Sequence, residues 1–396
     1  MEADISSADW PKREGLRALT LALGAEQIRW VGGAIRDSLL DIPVNDVDCA
    51  TLHRPDTVVE LCRDAGIRTV PTGIEHGTVT AILPDGPVEI TTLRRDVSTD
   101  GRRATVEFAD RWEEDAARRD FTINALYAHP ETLQISDYFG GLDDLLERRV
   151  RFIGDARERI REDHLRILRY YRFQARFGAE LDPVAEEACA EHAPMLKGLS
   201  RERIATELLG ILALPDPHET VARMHAKGVL GEVLPETCKR ELATFDQLVA
   251  SEQSQGLPPD PVRRLGALLP VLREVVETVA ARLRLSKAQR AHLVALAERQ
   301  EGDLSEPFAL AYREGREVAI GRILLQGGDT HSLKEWVIPQ FPLKGGEIVA
   351  RGVAAGPQVA GMLRQIENRW ISEGFPNEAR VFAMLEEALS NLKDQA

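Results

Sequence analysis

The chain has 396 residues, 43% of them hydrophobic, and a formal charge of −14 from 50 basic and 64 acidic side chains. That length is too great for one compact core and calls for two to four domains; no window of about 18 uninterrupted apolar residues offers a membrane-crossing helix, so no membrane role is expected. The cysteines Cys49, Cys62, Cys189 and Cys238 are far apart without a C-x-x-C pair, and the start MEADISSADWPKREG is charged, which together speak against zinc and for reduced thiols in the cytoplasm.

Residues 28–31 form a short apolar run that ends at Gly32 and Gly33, and residues 34–40 read as a helix. Backbone N–H groups at such a turn favour phosphate. Arg36 lies one turn into the helix, placed to pair with phosphate oxygens, and Asp37 beside it is placed to orient the guanidinium. Residues 44–51 read as a second strand, on which Asp46 and Asp48 share a face. Two hard carboxylates next to a phosphate cradle suit magnesium, which keeps few protein ligands. The implied reaction is two-metal phosphoryl chemistry. A Gly-Gly turn or a D-x-D alone is a common structural device; their conjunction within seventeen residues is what points to a site.

Residues 88–93 read as a further strand whose acid, Glu89, is either a third metal-site carboxylate or an edge-strand group facing solvent. Residues 94–119 carry ten or more charges with little periodicity, and the expectation is a mobile loop, either a solvated connection or a lid over a nucleotide. Arg119 and Asp120 then precede an apolar stretch, 121–127, interrupted by Asn124. Arg119 is a candidate triphosphate ligand, and Asp120 and Asn124 are candidates for ribose hydroxyls; an ion pair plus an Asn cap is the plainer alternative.

A single helix is expected from about residue 155 to Gly178. Along it Asp163, Arg166, Arg169 and Arg172 recur at every third position, and Asp163 and Arg166 would be surface neighbours. A carboxylate that accepts from an exocyclic amine beside a guanidinium that donates to ring acceptors selects cytosine or adenine over guanine or uracil. The plainer alternative is an i,i+3 salt bridge of a few tenths of a kcal/mol. Between Arg148 and Arg176 ten arginines face four acids, a local charge of +6 on an acidic chain. Because screening confines repulsion to about 8 Å, a local basic cleft suffices to hold a phosphate backbone. Beyond this point the periodic segments are helical, including 201–214, 218–231, 262–283, 286–300 and 378–392, with a break at 256–261 and an irregular region at 342–356.

The ordered set VGGAIRD, NDVD, GIEHGTVT, VEITTLRRD, EEDAARRDFTINALY, YFGGLDDL, EDHLRILRYYRF and SRERIATEL resembles the bacterial CCA-adding tRNA nucleotidyltransferases, class II of the polymerase β-like superfamily, over about residues 28–210. FPLKGGEIVARGVAAGP is similar to the tail of some bacterial members. The resemblance implies an α+β fold: a nucleotidyltransferase head with a small mixed sheet (1–150), then an all-helical neck (151–215), body (216–305) and tail (306–396). It implies that Asp46 and Asp48 bind two catalytic Mg2+ ions and that Gly33 and Arg36 contact the incoming CTP or ATP. Arg119 would lie near the phosphates or sugar, Asp163 and Arg166 would read the base, and Arg169 and Arg172 would support nucleotide or RNA phosphate. Its partner would be tRNA, held at the acceptor end and elbow; the oligomeric state is left open.

Related poly(A) polymerases share this catalytic set, but GIEHGTVT stands where a basic, aromatic G-R-R-F-like strand is expected of them, which favours CCA addition. Members that add only CC or only A are the other alternative. Their CC-only pattern has the 94–119 segment shortened or altered, so its presence here favours full CCA addition. Tyr170 and Tyr171 stand where the family commonly has smaller residues, and with no His-Asp doublet in the chain no phosphohydrolase activity is expected.

Overall fold

The computed structural model describes residues 4–100, 103–177 and 181–393. It divides into two compact units, Met1–Pro235 and Glu236–Ala396. Strands of the first unit are β1 (Ile28–Val31), β2 (Val47–Thr51), β3 (Arg68–Gly73), β4 (Thr78–Leu83), β5 (Gly86–Thr92), β6 (Arg94–Asp100), β7 (Arg103–Phe108), β8 (Leu126–Ala128) and β9 (Ile135–Asp137). Seven of them make one sheet in the order β3-β4-β5-β2-β1-β8-β9, while β6 and β7 pair separately as a hairpin. The sheet is mixed: β2 and β5 run parallel, and the other described pairs are antiparallel.

The central strand β1 reads Ile-Arg-Trp-Val, and Trp30 and Val31 are fully buried, as expected of a strand covered on both sides. Helix α1 (Glu14–Leu23) packs on α3 (Pro55–Asp64), which lies against β3 and β4; α2 (Gly33–Leu39) packs on β1, β2 and β8. After α4 (Trp112–Ala117) and α5 (Gly141–Leu146), the unit continues as helices α6 (Ala156–Glu162), α7 (Arg166–Phe177), α8 (Pro183–His192), α9 (Arg201–Leu212), α10 (His218–Ala226) and α11 (Val229–Val233). Helix α7 buries Ile167, Leu168, Tyr170, Phe173 and Phe177. Phe152 stacks on Tyr170 at 5.7 Å and Phe121 meets Phe173 edge-on at 5.4 Å, so an aromatic cluster joins the head to this helix.

The described part of the second unit is helical, and one of its cores gathers Ile348, Val359, Met362, Ile366, Trp370, Val381 and Leu385. Another part is tied by Glu252, 1% exposed, between Arg263 (2.6 Å) and Arg264 (2.7 Å). Among the described residues no helix is long and apolar enough to cross a membrane. The α+β class with a mixed-sheet head and a helical remainder is the one predicted.

Several expected elements need correction. The single helix over 155–177 is two helices. Asp163 is extended between them (φ −149°, ψ 104°), and its Oδ1 accepts from the Leu165 N–H at 3.1 Å. That local bond competes with the helical one, and so the helix breaks at a residue type prone to it. The expected loop at 94–119 is the β6–β7 hairpin followed by α4; Val97, Thr99, Thr105 and Val106 supply strand propensity that the dense charge had masked. Glu89 is not on an edge, since β5 lies between β4 and β2. β2 begins at Val47, leaving Asp46 in the segment before it. The 262–283 helix is split into Pro261–Ala267 and Arg273–Arg282 around Pro270, which lacks a donor; 218–231 is split into α10 and α11; and 342–356 contains the short helix Gly345–Val349.

Gly141, at the start of α5, lies so close to the head that an added Cβ would fall 2.3 Å from the Thr122 carbonyl oxygen. Gly141→Ala should therefore lower stability by about 1–3 kcal/mol. Urea unfolding should show a lower midpoint with an unchanged slope; a wild-type midpoint would contradict the close approach.

Candidate active site

The turn between β1 and α2 sets the site. Gly32 adopts φ +70° and ψ −119°, a conformation that resists a side chain, and a Cβ there would stand 3.4 Å from Arg119 Nη1 and 3.5 Å from the Asn124 carbonyl oxygen. A Cβ would make only ordinary contact there, so it is the left-handed backbone that calls for glycine. Beside the turn opens a cavity of about 500 Å³. Gly32, Gly33, Arg36 and Asp37 line it from one side, and Pro43, Val44, Asn45, Asp46 and Asp48 from a second. Arg119, Asp120 and Asn124 form the floor, and Arg169, Arg172, Phe173 and Arg176 of α7 complete the wall.

The arginines are held by a connected set of bonds. Arg36, 5% exposed, donates Nε to Asp37 at 2.8 Å and Nη1 to Asn124 Oδ1 at 2.5 Å. Burial pushes its pKa down and Asp37 works against that shift. Asp37 also receives Arg176 at 2.9 Å. Asn124 donates Nδ2 to Asp120 Oδ1 at 3.0 Å, which also accepts the Phe121 N–H at 2.9 Å, and Asp120 Oδ2 accepts Arg169 Nε at 2.6 Å. Both Asp120 oxygens are thus occupied, and a ribose contact is not the role this geometry favours. Burial raises the Asp120 pKa, but Arg169 and Asn124 outweigh it and hold the carboxyl below the ordinary aspartate value. On α9, Glu207 holds Arg172 at 2.6 Å and Arg169 at 3.6 Å. The guanidinium groups of Arg36 and Arg172 lie over the Phe173 ring at 5.1 and 4.8 Å.

Opposite these arginines lies an acidic group. The parallel register of β2 and β5 puts Asp48 beside Glu89. Burial, and then the charge of Glu89, push the Asp48 pKa up; Arg119 lowers it and Asp46 raises it again. An uncompensated cluster of hard oxygen donors fits a divalent cation. Among the described residues no group of three or more His, Cys, Asp or Glu side chains is placed to hold a metal ion; a cation here would rest on Asp46 and Asp48 and would need water and phosphate for the rest of its shell.

All the sequence-predicted residues except Asp163, Arg166 and Glu89 line the cavity. Arg203 of α9 holds Asp163 at 2.6 Å. Arg166 donates to Glu162 at 2.5 Å, to the Arg159 carbonyl at 2.8 Å and to the Arg118 carbonyl at 2.9 Å. Asp163 and Arg166 are therefore not salt-bridged partners on one helix face, although the charge of Arg166 reaches Asp120 and that of Asp163 reaches Arg169. Tyr170 and Tyr171 are fully buried and outside the cavity lining. Sequence reasoning missed Arg176 and Phe173 as lining groups and Glu207 as an anchor. Arg176 had a signal, four residues beyond Arg172 and so one helical turn further on.

The family described as Poly A polymerase head domain matches residues 28–151, and that described as probable RNA and SrmB-binding site of polymerase A matches 178–240. The chain is 36% identical over 387 residues to the mitochondrial CCA tRNA nucleotidyltransferase 1 of Mus musculus, covering 92% of this chain and 88% of that protein. It is 43% identical to the CCA-adding enzyme of Streptococcus pyogenes serotype M1 over 199 residues, 50% of this chain and 48% of that protein. Among solved structures its fold is similar to a Bacillus stearothermophilus CCA-adding enzyme in complex with CTP (TM-score 0.76, 24% identity, 98% of this chain and 100% of that one). It is also similar to a Thermotoga maritima CCA-adding enzyme complexed with tRNA (TM-score 0.70, 20% identity, 95% of each chain).

Asp120→Asn removes a buried charge that anchors Arg169, and stability at pH 7 should fall by about 2 kcal/mol. Because the folded-state pKa of Asp120 is depressed, its contribution is present above the unfolded aspartate value, about 3.9, and is lost as the pH falls through the folded value. In urea titrations the gap between variant and wild type should begin to close below about pH 4. A gap of constant size down to acid pH would contradict the pairing.

Proposed function

We infer the chemistry of this site from one premise: the chain belongs to the CCA tRNA nucleotidyltransferase family. It adds or repairs the 3′-terminal CCA of tRNA without a nucleic-acid template, using CTP and ATP and releasing pyrophosphate. The observation that carries the assignment of residues is one cavity that brings an acidic pair to face a cradle of arginines.

Asp46 and Asp48 are the groups that would hold two Mg2+ ions; such ions, when bound, ease ionisation of the tRNA 3′-hydroxyl and neutralise the departing pyrophosphate. The triphosphate lies against Arg36 and Arg119, reaching the backbone at Gly32 and Gly33. Asp37 and Asn124 keep Arg36 in position, and Asp120 keeps Arg169 in position, so these acids and the amide act through the arginines they hold. Arg172 and Arg176 add positive charge for nucleotide or RNA phosphate. No covalent enzyme intermediate is required, since positioning and electrostatics supply the catalysis.

Asp163 and Arg166 read the base. Asp163 is paired with Arg203 and Arg166 with Glu162, so on this reading a bound base displaces these partners: an exocyclic amine takes the place of Arg203 and ring acceptors that of Glu162. C and A, which place an exocyclic amine beside a ring acceptor on the same edge, satisfy that pair, while G and U present a carbonyl and a ring N–H there and leave polar groups unmatched. The tRNA acceptor end runs along the basic residues between Arg148 and Arg176, and the elbow is assigned to residues 306–396. The division into head (1–150), neck (151–215), body (216–305) and tail (306–396) follows the same reading. A reducing compartment, the cytoplasm, fits four free cysteines, three of them buried.

The poly(A) reading has one observation in its favour, the match of the head to a family described by that activity. Incubating tRNA lacking CCA with CTP, with ATP and with both, and sequencing the products, separates the readings. CC from CTP alone and CCA from both are expected. Runs of adenylate would favour the poly(A) reading, and termination after CC with both nucleotides present would favour partial addition.

Asp46→Ala and Asp48→Ala should each abolish incorporation and leave the tRNA dissociation constant largely unchanged; turnover in either variant contradicts the metal assignment. Arg166→Ala should relax or destroy the preference for CTP and ATP over UTP and GTP. Unchanged selectivity in a competition assay would remove Arg166 from base reading.

A further inference from the structure

Helix α4 packs on β6 and is followed by Arg119 of the cavity lining, and it carries Asp115, which is 1% exposed. Asp115 Oδ1 accepts the Arg94 backbone N–H at 3.3 Å and Arg118 Nε at 2.8 Å. Its Oδ2 accepts the Tyr127 hydroxyl at 2.6 Å and pairs with Arg119 Nη2 at 3.3 Å. The Tyr127 oxygen accepts Arg119 Nε at 2.9 Å. Arg119 is thus gripped from behind on two nitrogens while its third, Nη1, points to Gly32 and the Asn124 carbonyl at the cavity floor. Where α4 ends, the Arg118 carbonyl accepts Arg166 Nη2 at 2.9 Å and the Ala117 carbonyl accepts Arg159 Nη1 at 3.1 Å.

The geometry points to Asp115 as a positioning residue that ties the two ends of the nucleotide site together. It fixes Arg119 at the phosphate end directly and through Tyr127. It fixes Arg166 at the base end through the Arg118 backbone, whose side chain the same carboxylate holds. At the hairpin root the Arg94 backbone N–H hangs on this carboxylate as well. This inference rests on the roles given to Arg119 and Arg166 above. A buried carboxylate that satisfies two guanidinium groups, a phenol and a backbone N–H has no neutral substitute of equal capacity, because a carboxamide offers one acceptor oxygen and brings donors where acceptors are needed.

Two variants separate positioning from mere packing. Asp115→Asn should raise the KM for CTP about ten- to a hundredfold, the loss of a charge-assisted hydrogen bond, and should also narrow the preference for CTP over UTP. Tyr127→Phe removes the hydroxyl that relays Asp115 to Arg119 and leaves Arg118 in place. It should raise the KM for CTP about three- to tenfold and leave the preference for CTP over UTP unchanged. In both variants the tRNA dissociation constant should match wild type. An unchanged KM in both, a loss of tRNA affinity equal to the loss for CTP, or an equal shift of base preference in the two variants would overturn the assignment. If thermal melting shows that Asp115→Asn does not fold, Tyr127→Phe decides alone, and an unchanged KM there overturns it. Wild-type protein that fails to incorporate CMP takes down the family-based reaction as well, whereas an active wild type with unmoved variants overturns the role of Asp115 alone.

Discussion

Five guanidinium groups around one cavity repel one another, and acids that are buried or, for Asp37, half-buried keep them in place. Asp37 binds Arg36 and Arg176, Asp120 binds Arg169, Glu207 binds Arg169 and Arg172, and Asp115 binds Arg119. Each acid comes from a different element, so the charge pattern is a product of the tertiary fold. The cradle is preorganised before any nucleotide arrives, which spares the cost of gathering like charges at the moment of binding. Removing a single acid would leave a guanidinium without its anchor, and the arginines form a network in which such losses are not additive.

The same arrangement accounts for an acidic chain that handles polyanions. A net charge of −14 is spread over 396 residues, whereas the cavity face proposed to meet phosphate carries arginines drawn from α2, α7 and the segment before β8. Across from it, the carboxylates Asp46, Asp48 and Glu89 are left without a salt-bridged cation among the described residues, and the Asp48 pKa is raised first by burial and then by the charge of Glu89, with Arg119 opposing the shift. The two halves of the site are therefore complementary in charge to the polyphosphate and the divalent cation of the proposed reaction.

Much of this could be read from the chain. The Gly-Gly turn, the alternating carboxylates, and Arg119 with its neighbours sit in short local motifs, and local motifs survive translation into structure. The strand-turn-helix at 28–39 and the helical character beyond residue 155 rest on apolar periodicity, which is likewise local. What escaped was set by partners distant in sequence. The break at Asp163 depends on an aspartate preferring a local backbone bond and on Arg203, forty residues on. The hairpin of β6 and β7 has side-chain charge on a backbone that still finds strand pairing, so polarity was a poor guide to secondary structure there. The anchoring roles of Asp115, Tyr127 and Glu207 had no signal in spacing, because each is defined by which arginine the fold brings to it.

A crystal structure with CTP and Mg2+ tests the central claim most directly. The account requires the triphosphate between Arg36 and Arg119 on one side and Asp46 and Asp48 on the other, with the cytosine edge turned to Asp163 and Arg166. Triphosphate bound outside this cavity, or Asp46 and Asp48 without a metal ion while the nucleotide is in place, would contradict it.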